Sequence, residues 1–135
     1  MAIDTQLLNN LFRVGRVSDV FPATMRVKVE FPSRDNMVSH ELPVLVQGSS
    51  KNAHYWLPDV GEQVLCLVLP DGAHNDGFCL GSYYSEVMPP RVASIDKRRL
   101  DFGDGTYIEY DRSSHQLTVQ CVGDVVINGA TINLN

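Results

Sequence analysis

The chain has few cysteines, no excess of positive charge and no long apolar run. Its three cysteines, Cys66, Cys79 and Cys121, stand far apart among 135 residues, whereas a secreted disulfide framework uses an even and denser set. The longest apolar run, residues 64–69, is much shorter than the roughly 20 residues that span a bilayer. The N-terminus also lacks the basic start and apolar core of a signal peptide. These features predict a chain that folds in a reducing cytoplasm.

The charge balance argues against nucleic acid as a partner. Eleven basic and sixteen acidic residues give a formal net charge of -5, whereas a protein that binds a duplex neutralises phosphates with an excess of basic residues. Hydrophobic residues make up 44% and charged residues 20% of the chain, which is typical of a soluble globular protein. The length allows one domain, or one small domain with an appendage.

A short helix is predicted within residues 1–13, because apolar residues recur there at the spacing of one helix face. Asp4 or Thr5 can cap its start, and Gly15 is expected to close it. We expect this helix to pack against its own domain or a neighbouring subunit. The apolar residues are Ile3, Leu7, Leu8, Leu11 and Phe12.

Alternation with a period of two predicts β-strands from residue 14 to residue 88. Residues 25–31 show it most clearly, with apolar residues on one face and charged residues on the other. With no helical stretch between the first strand and the last, the pattern favours a small barrel, for which the OB-fold is the common five-stranded solution. The expected strands are residues 14–20, 25–31, 42–47, 62–69 and 78–84.

Met88-Pro89-Pro90 marks a boundary, because two prolines favour an extended connection and exclude a helix. Residues 89–135 then show short strands separated by small turns, without a large apolar cluster. Such a meander cannot bury a face by itself. It could fold onto the barrel or wind around identical copies of itself, and composition does not decide between the two. The expected strands are residues 106–110, 116–122, 125–127 and 131–134.

Two stretches resemble the baseplate assembly protein V, or central spike, family of contractile phage tails, which is related to R-type bacteriocin and type VI secretion spikes. The first is YWLPDVGEQV at residues 55–64 with GFCLGSYY at residues 77–84; the second is LDFGDGTYIEYDRSSHQLTV at residues 100–119. The resemblance implies an all-β homotrimer with a short N-terminal helix (1–13), a five-stranded OB-fold barrel (14–88), and a linker with an intertwined triple-stranded β-helix (89–135).

The resemblance also implies a structural role and no enzymatic activity or cofactor. The trimer would dock to the tail hub and baseplate proteins of a virion or tailocin, assembled in the bacterial cytoplasm, and pierce the host outer membrane when the sheath contracts. Longer members end in a metal-holding apex, but here the last histidine is His115, so either the chain is truncated or a separate tip protein caps it. Apolar side chains would line the axis, from candidates Ile108, Leu117, Val119, Val126, Ile127, Ile132 and Leu134.

Other readings of the sequence receive less support. Asp101-Phe102-Gly103 has the letters of a kinase motif without the other kinase motifs, and residues 71–77 lack the ligand spacing of a calcium loop. Cys66 and Cys79, with His74, lack the spacing of a zinc site and are expected to be buried thiols. The alternative function is an OB-fold binding module for single-stranded nucleic acid or oligosaccharide, using residues 97–99 and exposed aromatic side chains.

Overall fold

One α-helix and nine β-strands are present in residues 5–69 and 76–135, the part of the chain that the computed structural model describes. The helix α1 spans Thr5–Leu11. The strands are β1 (Phe12–Phe21), β2 (Arg26–Phe31), β3 (Met37–Val38), β4 (Leu42–Pro43), β5 (Gln63–Val68), β6 (Gly77–Ser82), β7 (Lys97–Asp101), β8 (Tyr107–Asp111) and β9 (Gln116–Gln120). The chain divides into two units, Met1–Pro89 and Pro90–Asn135.

The strands of the N-terminal unit form a closed circuit. β1 pairs with β2 on one side and with β5 on the other, and β5 pairs with β6. β4 pairs with β2, and Val44, directly after β4, forms a parallel bridge to Cys79 of β6. The order β1–β2–β4–β6–β5 therefore returns to β1, as the predicted five-stranded barrel requires. The expected third strand, residues 42–47, is shorter than predicted because the chain changes partner at Val44.

The barrel core comes from the inward positions of these strands. In β2 the alternation seen in the sequence places Val27, Val29 and Phe31 inside, with no exposed surface. Burying one such side chain contributes about 1.5–3 kcal/mol relative to leaving it in water. The buried apolar residues are Val17, Val27, Val29, Phe31, Leu42, Val64, Cys66, Val68 and Cys79.

One buried polar residue supports the backbone of this core. Ser39 is 3% exposed, its amide donates to the Val29 carbonyl at 2.8 Å, and its hydroxyl oxygen accepts from the Val29 amide at 3.0 Å. The same hydroxyl donates to the carbonyl of His40 at 2.7 Å. Ser39 therefore continues the pairing of β2 with its neighbour through a side chain.

The sequence predicted that Gly15 closes the helix, and this prediction is wrong. The helix ends at Leu11 and Gly15 lies inside β1, opposite Val64. A side chain there would point into the barrel, against the Glu30 carbonyl oxygen and 2.7 Å from the Val29 Cγ1 atom. Glycine is present because β2 passes too close for a Cβ atom, not because the chain turns.

The C-terminal unit contains an antiparallel sheet in the order β7–β8–β9. The sequence did not predict β7, because the run Lys97-Arg98-Arg99 hides its alternation. Residues 125–127 and 131–134, which were expected to be strands, form no strand in the single chain. Ile3, Asp4, His74 and most of the loop at residues 70–77 lie outside the described residues. No helix in the part of the chain that is described is long and apolar enough to cross a membrane.

Candidate functional site: exposed apolar surfaces

The β7–β8–β9 sheet has one largely apolar face and one charged face. Cross-strand pairing places Leu100, Ile108 and Val119 in one row of the first face and Arg98, Tyr110 and Leu117 in the next. Five of these six residues carry apolar or aromatic side chains, and Arg98 is the exception. All five side chains are exposed, from 39% for Ile108 to 65% for Leu117. A three-stranded sheet needs a covered apolar face to be stable in water. We call these five side chains the ribbon face.

The charged face of the same sheet satisfies its own charges. The Arg99 guanidinium contacts the carboxylates of Asp101 at 2.9 Å and Glu109 at 3.1 Å, and it lies 3.7 Å from the centre of the Tyr107 ring. Lys97 contacts Glu109 at 3.5 Å. In the described part of the chain, the charged side chains of this sheet therefore pair with one another, whereas the ribbon face stays exposed.

This pairing changes the interpretation of the basic cluster at residues 97–99. Two of its three cations, Lys97 and Arg99, are held by carboxylates of their own sheet. The third, Arg98, donates to the backbone carbonyls of Ile95 and Lys97, both at 3.0 Å. A surface that binds phosphates needs cations that can exchange their contacts for phosphate oxygens. The cluster is therefore poorly suited to the nucleic-acid alternative.

Residues 123–135 form a second region without backbone pairing in the single chain; it follows Val122, whose amide donates to the Thr106 hydroxyl at 3.2 Å. Among the described residues, none from 123 to 135 makes a backbone–backbone hydrogen bond. Large apolar side chains in this segment are exposed, including Val126 at 75% and Leu134 at 90%. Backbone amides and carbonyls are normally paired when apolar side chains are buried beside them. The segment has both the apolar side chains and the open backbone groups that a β-partner would use.

The seven axis candidates fall into two groups. Ile108, Leu117 and Val119 are brought together on the ribbon face by the register of β8 and β9. The other four lie in residues 121–135, where no strand register relates them. Sequence reasoning missed Leu100 and Tyr110. The run of three cations before Leu100 obscures the alternation of β7, whereas Tyr110 alternates with Ile108 in β8 and its position could have been read from that pattern. Which of these side chains face a trimer axis stays a prediction.

The barrel has an exposed apolar surface of its own, on the outside of β1, β5 and β6. Phe12, Leu67 and Phe78 lie side by side on these three strands, because Phe12 pairs with Leu67 and Leu67 with Phe78. Val14, two residues along β1, extends the patch. The sequence showed β5 as apolar on both faces; the inner face fills the core and the outer face forms this patch, which we call the barrel patch.

An open cleft of about 590 Å³ lies on the barrel, lined in part by His54, Trp56, Glu62 and Ser82. The Glu62 carboxylate accepts hydrogen bonds from the Ser82 hydroxyl and from the Asp59 amide. These bonds tie the turn before β5 to the end of β6, which is a structural task. Within residues 5–69 and 76–135, no group of three or more His, Cys, Asp or Glu side chains is placed to hold a metal ion.

The motif of residues 101–103 is a turn, as the sequence indicated. The Phe102 amide donates to the Thr106 carbonyl at 2.8 Å, and the Gly105 amide donates back to the Phe102 carbonyl at 3.3 Å. Asp104 accepts from the Thr106 amide at 2.9 Å. The motif therefore connects β7 to β8.

Comparisons with known proteins agree with this architecture. The family described as the type VI secretion system/phage-baseplate injector OB domain matches residues 13–84. The spike protein of Escherichia phage P2 is 31% identical over 112 residues, which cover 83% of this chain and 51% of that protein. The chain thus spans about half the length of that relative. The expectation of a mostly β chain with one short helix and an OB domain is confirmed, and the chain belongs to the injector OB-domain family of phage baseplates and their central spikes.

Proposed function

We propose that this chain is the central spike of a contractile tail, a homotrimer that transmits force and forms or breaks no covalent bond. Its C-terminal units wind into a triple-stranded β-helix. Its barrels dock to the tail hub and baseplate, and the needle passes through the host outer membrane when the sheath contracts. The relatedness to a phage spike protein supports a structural role in the tail, and the remaining steps are our proposal.

The observation that carries the proposal is the ribbon face, with the segment that follows it. A sheet with Leu117 and Val119 in water, followed by residues 123–135 without backbone pairing, is incomplete as a single chain. Intertwining with two identical chains supplies both missing elements, because each chain covers the others' apolar side chains and pairs with their backbones. Adjacent strand residues point to opposite faces, so only one of Val126 and Ile127 would face the axis.

The barrel patch supports the same conclusion. A barrel that remains alone in water normally presents polar residues outward, yet Phe12 is 52% and Val14 is 49% exposed. An apolar surface on the outside of a small domain marks a contact with another protein. We assign the barrel patch to the collar in which neighbouring barrels of the trimer meet.

An Asp substitution on the ribbon face tests the proposal. In the trimer, Val119→Asp places three carboxylates together in an apolar column, where unpaired charges are costly. Gln120→Asp is the matched control, because it adds the same charge one residue further along β9 on the opposite face. We expect the native chain and Gln120→Asp to show three times the 15.0 kDa chain mass in light scattering, and Val119→Asp to dissociate.

The measurement separates failed assembly from failed folding. The barrel contains the only tryptophan, Trp56, so its fluorescence and thermal transition report the N-terminal unit. We expect this transition to persist in Val119→Asp. A native chain that is monomeric at micromolar concentration would refute the trimer. A trimer that is equally stable in both variants would refute the assignment of the ribbon face to its axis.

The binding-module alternative makes a different prediction. A protein that binds single strands through residues 97–99 would bind oligonucleotides at low salt and lose affinity as salt rises. The carboxylate contacts of Lys97 and Arg99 argue against that outcome. Tight, salt-dependent binding by the native chain would favour the alternative over the spike.

A further inference from the structure

Cys66 of β5 and Cys79 of β6 lie directly opposite each other in the barrel sheet. Both side chains have no exposed surface and belong to the core. They are free thiols in this structure. Nothing in the proposed spike function uses them, and small apolar residues would fill the same positions.

The hydrogen-bond pattern shows which kind of cross-strand pair they form. The Cys79 carbonyl accepts from the Leu45 amide at 3.0 Å, so the polar backbone groups of Cys79 point away from β5. Further along the same two strands, the Leu69 amide donates to the Asp76 carbonyl. Since hydrogen-bonded and non-hydrogen-bonded pairs alternate, this bond independently places Cys66 and Cys79 at a non-hydrogen-bonded position.

That position suits a disulfide. Opposite residues of a non-hydrogen-bonded pair have Cα atoms about 4.5 Å apart and side chains that approach closely, and disulfides join Cα atoms about 4.4–6.8 Å apart. Both side chains point into the core, and a hydrogen bond between the two thiols is the largest cause of the pKa shift of each. The two residues need little backbone movement to be joined.

The two thiols differ in how readily they lose a proton. The hydrogen bond from Cys66, together with the Gly81 backbone amide, lowers the pKa of the Cys79 thiol against the opposing effect of burial. The same hydrogen bond, together with burial, raises the pKa of Cys66. Because the thiolate is the reactive form, Cys79 is the better nucleophile of the pair.

We propose that Cys66 and Cys79 form a cross-strand disulfide that locks β5 to β6 when the protein meets a disulfide-containing oxidant such as oxidised glutathione. The Cys79 thiolate attacks one sulfur of the oxidant, breaks its S–S bond and releases one glutathione thiolate. The Cys66 sulfur, after losing its proton, then attacks the Cys79 sulfur of the mixed disulfide and releases the second. Two cysteine thiols are oxidised by two electrons, and one glutathione disulfide is reduced to two glutathiones.

The consequence is a barrel that folds with free thiols in a reducing compartment and is strengthened after leaving it. The bond would close the loop between residues 66 and 79, and a loop of this length is expected to raise the melting temperature by roughly 12–24 °C. Both cysteines lie in the core, so exchange proceeds through brief local opening of β6. The inference holds whether the protein is a monomer or a trimer.

The experiment uses the full chain carrying Cys121→Ser, which removes the third thiol. The protein is incubated with oxidised glutathione just below its melting temperature, and the remaining thiols are then counted by maleimide labelling in denaturant. We expect no labelling, a mass lower by two hydrogens, a peptide linked through residues 66 and 79, and a higher melting temperature that dithiothreitol reverses. Adding Cys66→Ala is the control, which should leave Cys79 free or glutathionylated and give no rise.

Each contrary result is informative. Two labelled thiols after prolonged oxidation would overturn the proposal, and so would a stable glutathione adduct on Cys79 in the protein that retains Cys66. A cross-link that lowers the melting temperature would show that the native geometry does not accommodate the bond and would also overturn it. If the Cys66→Ala chain does not fold, peptide mapping of the Cys121→Ser chain still decides the question.

Discussion

Gly15→Ala tests how closely two strands of the barrel approach each other. The new Cβ atom would lie 2.7 Å from Val29 Cγ1 and 3.0 Å from Phe31 Cδ1, and it would also press on the Glu30 carbonyl oxygen. Carbon atoms in favourable contact are about 3.5–4.0 Å apart. Relief therefore requires β1 and β2 to separate by about 0.5–1 Å, and one of the obstacles is backbone, which cannot rotate away.

The expected cost follows from this overlap. Forcing a methyl group into a filled core typically costs about 1–3 kcal/mol, and we expect the upper end because a paired carbonyl oxygen is involved. Alanine restricts the unfolded chain more than glycine and returns only about 0.4–1 kcal/mol. For a domain of this size, a net loss of about 2 kcal/mol lowers the melting temperature by roughly 8–16 °C.

The assay is thermal unfolding followed by Trp56 fluorescence and circular dichroism. Gly123→Ala is the matched control, because no atom lies within 4 Å of its added Cβ atom. It should leave the barrel transition unchanged. An unchanged or higher barrel melting temperature in Gly15→Ala would refute the argument, since it would mean that β1 and β2 can separate at little cost.

Two further predictions concern hydrogen bonds. Ser39→Ala leaves the buried Val29 amide without its acceptor, which should lower the free energy of unfolding of the barrel, measured by urea titration, by about 1–3 kcal/mol. Ser39→Thr, which keeps the hydroxyl, should lower the same free energy by less. The Thr106 amide and hydroxyl lower the pKa of the Asp104 carboxyl. The stability that the ionised Asp104 contributes is therefore present above the ordinary carboxyl pKa and is lost as the pH falls through the lowered pKa. Asp104→Asn should therefore lower the melting temperature of the C-terminal unit more near pH 7 than near pH 2, and an NMR titration should give Asp104 a lower pKa than an aspartate in an unfolded peptide.

The contrary outcomes are equally specific. A Ser39→Ala chain as stable as the native one would mean that the Val29 amide finds another acceptor. An Asp104→Asn effect of the same size at both pH values would mean that the side chain acts through shape rather than charge. Asp111, which accepts from the Ser113 amide at 2.9 Å, offers a second turn for comparison.

The barrel strands that have one buried face and one exposed face could be predicted from the sequence. The alternation in β2 was visible because its inward residues are apolar and its outward residues are charged. The closure through Val44 was not predictable, since a parallel bridge between distant segments leaves no local pattern. The role of Gly15 was misread for a related reason: a glycine required by a neighbouring strand looks the same in sequence as one that ends a helix.

The ribbon face was predicted in part. Ile108, Leu117 and Val119 could be identified from their alternation. Strand β7 could not be predicted, because both of its faces carry cations. The pairing of Arg99 with Glu109 explains that composition, since charged residues there serve the sheet's own polar face. Residues 121–135 keep a strand-like pattern without a strand because the pattern describes side chains, whereas a strand also requires a backbone partner.

The order of pairing in the two units has a kinetic consequence. In the C-terminal unit each strand pairs with the next along the chain, as Leu100 does with Ile108, and such hairpins form in about 1–10 μs. In the barrel, Phe12 must find Leu67, far along the chain, and closing long loops slows folding. Hairpin pairing of the C-terminal strands is therefore expected to be faster than closure of the barrel. In the proposed trimer the apolar face of these strands is covered only when three chains meet, so chain concentration should govern the yield of folded protein.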